Sequence, residues 1–173
     1  MDTVREPPVR KPYVRDDLAV RAWQLVREPF TAGTWRRVAY ALLAVPVALA
    51  AVPVALLGGR AAAGRWQRGL VRRLLGTRLP GSSPGVRHAL LALPLNLAVA
   101  AVTLYGWMVV PMNIGWPLRG GDPATSWGGP TFAGAWAFHA VLGGIGFLLL
   151  MPWVGRALAA LQLRLATALL ARP

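Results

Sequence analysis

The 173-residue chain contains no cysteine, and histidine occurs only at His88 and His139. Disulfide frameworks, thiolate metal sites and cysteine nucleophiles are therefore excluded. Acidic residues number six: Asp2, Glu6, Asp16, Asp17 and Glu28 near the start, then Asp122 alone. None lies in an apolar run, so the mid-membrane carboxylate that a proton- or cation-coupled transporter usually needs is missing. The sequence has no glycine-rich phosphate loop, and no nucleophile–base pair or metal-ligand set. Charged residues make up 14% of the chain, against the roughly 25% usual in a soluble domain. Hydrophobic residues reach 55%, and the mean hydropathy is +0.47. This balance rules out a soluble globular enzyme and a disordered tail, and no cofactor is expected.

What charge there is has one sign. Nineteen basic residues, all arginine except Lys11, give a formal net charge of +13. Such an excess points either to nucleic acid or to anionic lipid, and the apolar content selects lipid, leaving no nucleic-acid partner. The length fits one domain. Residues 1–12 are polar and proline-bearing, and read as flexible. No signal-peptide core precedes residue 38. In 14–28, Val14, Leu18, Ala22 and Leu25 recur at helical spacing beside Trp23 and Val26, which predicts a short amphipathic helix on a bilayer surface. Pro29 ends it, and Thr34 is a candidate N-cap for the next helix. The domain division is a cytoplasmic arm, 1–33, and a single multi-pass membrane domain, 34–173.

Three apolar runs follow, at 38–57, 89–112 and 135–154, each about long enough to cross a ~30 Å hydrocarbon core as a helix. Between the first two, 59–76 carries Arg60, Arg65, Arg68, Arg72 and Arg73, with Trp66, Leu70 and Leu74 every fourth residue. It reads as an amphipathic helix against anionic lipid or a partner. Residues 79–85 read as a linker, and 155–172 as a second amphipathic or fully apolar helix with Arg156, Arg164 and Arg172. A shift of 48 residues lays 41–54 on 89–102 with eight of fourteen identities, Pro46 falling on Pro94. The chain thus reads as two units, each an apolar hairpin followed by an Arg-bearing helix, with the first unit truncated.

Basic residues number eight in 1–37, seven in 58–88, one in 113–134 and three in 155–173. Three full spans would divide them almost evenly. A re-entrant or shallow hairpin over 38–57 would leave 18 on the cytoplasmic side and only Arg119 outside, as the positive-inside rule favours. The sequence keeps both dispositions open and leans to the hairpin, with both termini cytoplasmic. On that reading Trp23, Trp35, Trp66 and Trp153 mark the inner edge, and Trp107, Trp116, Trp127 and Trp136 the outer one.

Trp35-Arg36-Arg37 before Tyr40 and 41–49, the matching 89–97, and above all the Pro-Trp ending and Arg-bearing helix in 143–171 resemble the sensor membrane domain of actinobacteria. That domain stands at the N-terminus of many two-component histidine kinases and sometimes alone. The resemblance covers roughly 28–172. It implies a four-helix module of two hairpins, with both termini inside. The first unit departs from this in lacking a full hairpin, and no kinase follows Pro173, so the chain is expected to work alone or through a separate kinase or other signalling protein, or to be a fragment.

Under this topology His88 and His139 lie at opposite faces and share no metal; His88 is expected at the head groups and His139 packed or facing water. Asn96, with Ala92 and Ala100 on one ridge and Ala140 and Gly144 on another, is a candidate helix–helix contact. The outer loop 113–134 is long enough to suggest a function. Its Trp116, Arg119, Asp122, Trp127 and Phe132 are the candidate signal-binding residues, the alternative being a plain interfacial linker. The expectation is an all-α multi-pass protein of the cell membrane, non-enzymatic, acting as a sensor or scaffold in envelope signalling. It would contact anionic inner-leaflet lipid and form a homo-oligomer if its function needs one. The alternative is a small transporter or an accessory subunit of one.

Overall fold

The computed structural model describes residues 14–81 and 85–171, with side chains from residue 18 onward. The arm 1–12, residues 82–84 of the linker and Arg172 lie outside the described residues. Every regular element described is helical. Helix α1 (Val14–Arg27) leads through a 3-10 turn, Glu28–Phe30, into α2 (Ala32–Leu56). Helix α3 (Arg60–Leu70) continues as a π-helical turn, Val71–Leu75. Helix α4 (Val86–Ile114) is followed by a 3-10 turn, Trp116–Arg119, and a loop. Helix α5 (Phe132–Phe138), a π-helical segment His139–Gly146 and α6 (Phe147–Leu170) join end to end. Together they form one 39-residue rod, Phe132–Leu170, about 58 Å long at 1.5 Å per residue.

Helices α2, α4 and the rod are each long and apolar enough to cross a membrane. Their buried positions follow a three-four spacing: Ala41, Ala44, Ala48, Ala51 and Ala55 on α2, and Ala89, Ala92, Asn96, Val99, Thr103, Gly106 and Val110 on α4. On α6 the buried set includes Pro152, Ala159, Gln162 and Ala166. That spacing is the seam of a left-handed helix bundle. The seam residues are small, as expected where helices pack by close approach rather than by the hydrophobic effect. The large apolar side chains turn outward, among them Leu43, Leu49, Leu90, Leu91, Leu97 and Leu104. Only 33% of the apolar window in α2 and α4, and 17% in the rod, is buried within the chain. An exterior this apolar suits a lipid surround.

Successive long helices run antiparallel. Trp35, at the start of α2, meets Trp107 of α4 in a tilted ring contact with centroids 4.9 Å apart, while Ala51 and Ala55 pack with Ala89 near the start of α4. The two duplicated runs are therefore opposed in direction. Helix α3 turns back along α2: Ala63 joins Ala51 and Ala55, and Val71 joins the cluster of Tyr40, Ala166 and Leu170. Gly58 makes this reversal with φ +94. Gly85 then lets α4 start against α3, since a Cβ there would lie 2.6 Å from the Gly64 Cα.

Several expectations are corrected. No hairpin forms within 38–57; α2 is continuous through Pro46 and Pro53, both on its exposed face. Membrane-type helices tolerate proline where neighbouring groups can re-satisfy the opened turn. The 155–172 segment is not separate but prolongs the third run without a break at Gly155. Helix α3 does not lie free on a surface: Ala63, Gly64, Gln67 and Val71 are its buried face, while Trp66 is exposed. Trp35 and Trp107, assigned to opposite edges, touch. The N-cap of α2 is Thr31, which accepts from the Thr34 N–H at 3.3 Å.

Ala51 is wholly buried where three helices meet. Ala51→Leu is expected to overpack that contact and cost about 1–3 kcal/mol, read as a lower thermal aggregation midpoint in detergent. Leu49→Ala, on the outward face, should leave the midpoint near that of the parent.

Candidate functional site

A buried polar joint links α4 to α6. Gln162 on α6 donates its Nε2–H to the Asn96 Oδ1 on α4 at 2.8 Å, and both side chains are buried. Each lies on the seam of its helix, flanked by alanine, so the backbones come close enough for two short amides to meet. The Gln162 Oε1 is buried without a hydrogen-bond partner. Asn96 thus makes a helix–helix contact, but with Gln162 and not with the Ala140/Gly144 ridge. Gly143 and Gly144 face Asn113 and Ile114 instead. Ala92 is buried, whereas Ala100 and Ala140 are half-buried, because the seam steps from Asn96 to Val99 rather than by four.

A second constellation ties the N-terminal turn to α6. Glu28 pairs with Arg156 and, at 3.6 Å, with Arg37. The Thr31 and Thr34 hydroxyls each donate to the Glu28 carbonyl at 2.9 Å. The Arg156 guanidinium lies 4.6 Å from the Trp153 ring centroid, a cation–π contact. Trp35, Trp107 and Trp153 surround this clasp, so aromatic and charged groups form one belt partway along the bundle.

The loop after α4 forms an aromatic head. Trp116 is 4% exposed and stacks on His139, centroids 5.3 Å apart, with Phe132 5.5 Å away. The Trp136 indole N–H donates to the Ile114 carbonyl at 3.0 Å, satisfying an orphan acceptor at the end of α4. His139 Nδ1 bonds to the Ala135 carbonyl at 2.8 Å; since a carbonyl only accepts, Nδ1 carries the proton. Trp127 is 77% exposed and stacks on Phe138. Asp122 caps its own turn, accepting from the Ala124 N–H at 2.9 Å. Among the described ion pairs Arg119 and Asp122 are not partners. The structure gathers Trp116, Phe132 and His139, and leaves Arg119, Asp122 and Trp127 on the outside.

At the other end of α4, His88 is buried and bonds through Nδ1 to Gln67 Oε1, whose Nε2–H donates to the Gly85 carbonyl at 3.1 Å. It does not meet head groups as expected. Arg60, Arg65, Arg72 and Arg73 point outward from α3 and its π turn. Sequence reading missed Gln162, Gln67 and the Glu28–Arg156 clasp. The spacing Ala159–Gln162–Ala166 was a usable signal for the first; nothing in the local pattern announces a pair 128 residues apart. Among the described residues, no three His, Cys, Asp or Glu side chains converge as metal ligands would. No family model, curated protein or solved structure matches the chain.

Asn96→Leu should strand the Gln162 amide and lower stability by roughly 0.6–2 kcal/mol. Asn96→Leu with Gln162→Leu should recover much of the loss, because an apolar pair leaves no buried polar group unpaired. A double-mutant cycle on thermal midpoints in detergent measures the coupling.

Proposed function

We propose that the protein is a non-enzymatic sensor or scaffold module of the cell membrane, in which an outer aromatic head is coupled mechanically to a basic cytoplasmic face. The observation that carries this reading is the rod. One unbroken helix, Phe132–Leu170, holds the head contacts of Trp136 and His139 near one end. It holds the Arg156 clasp and the Gln162 joint toward the other. A load on the head therefore reaches the clasp through a single body, by the small helix shifts that membrane signalling uses. The partner that receives it is a separate signalling protein.

The same packing supports an orientation. Helix α3 lies along α2, which brings Arg65, Arg68, Arg72 and Arg73 level with the middle of α2. Full passage of α2 through the bilayer would carry these arginines into hydrocarbon, at about 2.5–3.5 kcal/mol for each near the centre. Placing α2, α3 and the stretch of α4 packed on them at the cytoplasmic boundary avoids this, with the rod crossing and the outer end of α4 beside it. The tryptophan belt around the clasp then sits at the inner interface. Eighteen basic residues lie inside, only Arg119 lies outside, and both termini are cytoplasmic.

Single cysteines at Gln24, Arg73, Ser126 and Thr167 test the orientation in this cysteine-free chain. A membrane-impermeant maleimide on intact cells should label only Ser126→Cys; labelling at Gln24→Cys would mean that α2 crosses. For the coupling, spin labels at Gln24→Cys and Thr167→Cys report the inner end. Trp116→Ala should shift or broaden their distance distribution in reconstituted protein, and an unchanged distribution would remove the mechanical link.

A further inference from the structure

A groove of about 480 Å³ opens beside α3, lined by Arg65, Arg68, Gly69, Arg72, Arg78 and Leu79. Arg65, Arg68 and Arg72 share a helix face by their three-four spacing. Arg78 joins them from the segment beyond the helix, where Gly76 takes φ +71 and ends the helix in a left-handed cap. Leu79, beside Arg78, packs on the core cluster and anchors this segment. Arg65, Arg72 and Arg78 therefore bring three exposed guanidinium groups to one volume beside Arg68, and among the described lining residues there is no carboxylate. Like charges gathered in one groove repel one another, and a bound anion relieves that repulsion. Guanidinium forks match phosphate oxygens in pairs.

We propose that this groove binds a phosphate group, carried by the headgroup of an anionic phospholipid. The lipid source rests on the placement of α3 at the inner headgroups proposed above. It goes beyond a general attraction of α3 to anionic lipid, because it names a shaped site with walls from two segments. Gly69, in its lining, supplies the test: a Cβ there meets nothing within 4 Å. A larger side chain there enters open space beside the arginines, with every arginine retained.

The experiment uses the purified full chain in neutral detergent, with the thermal aggregation midpoint titrated against phosphatidylglycerol, phosphatidylcholine or inorganic phosphate. Phosphatidylglycerol should raise the midpoint saturably, and phosphatidylcholine should not. Arg72→Gln and Arg78→Gln should each weaken the apparent affinity by about tenfold, the scale of one charge-assisted contact. Gly69→Leu should weaken it at least as much. Arg87→Gln, an equal loss of charge outside the groove, should leave it within about twofold. Equal losses from Arg87→Gln and Arg72→Gln, or full affinity in Gly69→Leu, would replace the site by diffuse attraction. Stabilisation by inorganic phosphate equal to that by phosphatidylglycerol would overturn the lipid source. Detergent exposes both ends of the molecule, so a failure here is distinct from a failure of the orientation, which maleimide labelling decides separately.

Discussion

Close approach between helices is the constraint on which the rest of the structure depends. In a lipid surround, apolar side chains gain little by leaving their environment, so helices associate through backbone proximity and polar contact. The alanines of α2, and alanine, glycine and threonine on α4, supply that proximity. The joint between Asn96 and Gln162 follows from it, since short amides meet at 2.8 Å only across a narrow seam. So does the seating of Met151 against Gly106, which a Cβ at that position would obstruct. Most of the larger leucines, having little room inside, form the exterior, while Leu170 is buried at the end of α6.

The seam also decides where charge can go. The interior admits amides, hydroxyls and one histidine, each small or hydrogen-bonded. The arginines are left to the outer face of α3, to the belt and to the helix ends. Among the described residues Glu28 is the acid that meets two of them, and it does so beside the Thr31 and Thr34 hydroxyls at the start of α2. The N-terminal helix is thereby fastened to the rod through polar groups, while Leu18, Val20, Trp23, Leu25 and Val26 of α1 stay exposed. An apolar surface held out at the belt, next to arginine, suits a helix resting on lipid.

Much of the fold was legible because hydrophobic runs and helix signals are local. The three apolar segments, α1 up to Pro29 and the Arg-bearing α3 could all be read from spacing. The hairpin over 38–57 misled because it rests on the division of basic residues along the chain, which says nothing of local backbone; α2 runs continuously, with Pro46 and Pro53 on its exposed face. The head was partly legible: Trp116 and Phe132 do come together, but His139 completes the stack, and Arg119 with Asp122 do not pair. Asn96 was recognised as a contact. Its partner was not, because α6 was read as an interfacial helix and its register against α4 is a tertiary fact. The Glu28–Arg156 clasp depends on the same register and had no local sign at all.

The joint between α4 and the rod is made by two groups that do not titrate, since neither amide gains or loses a proton in the physiological range. Its strength is therefore indifferent to the acidity on either side of the membrane. It also carries no net charge, so an electric field across the bilayer exerts no net force on it. A change at this joint therefore has to arrive as a movement of the two helices, not as a change of proton or charge.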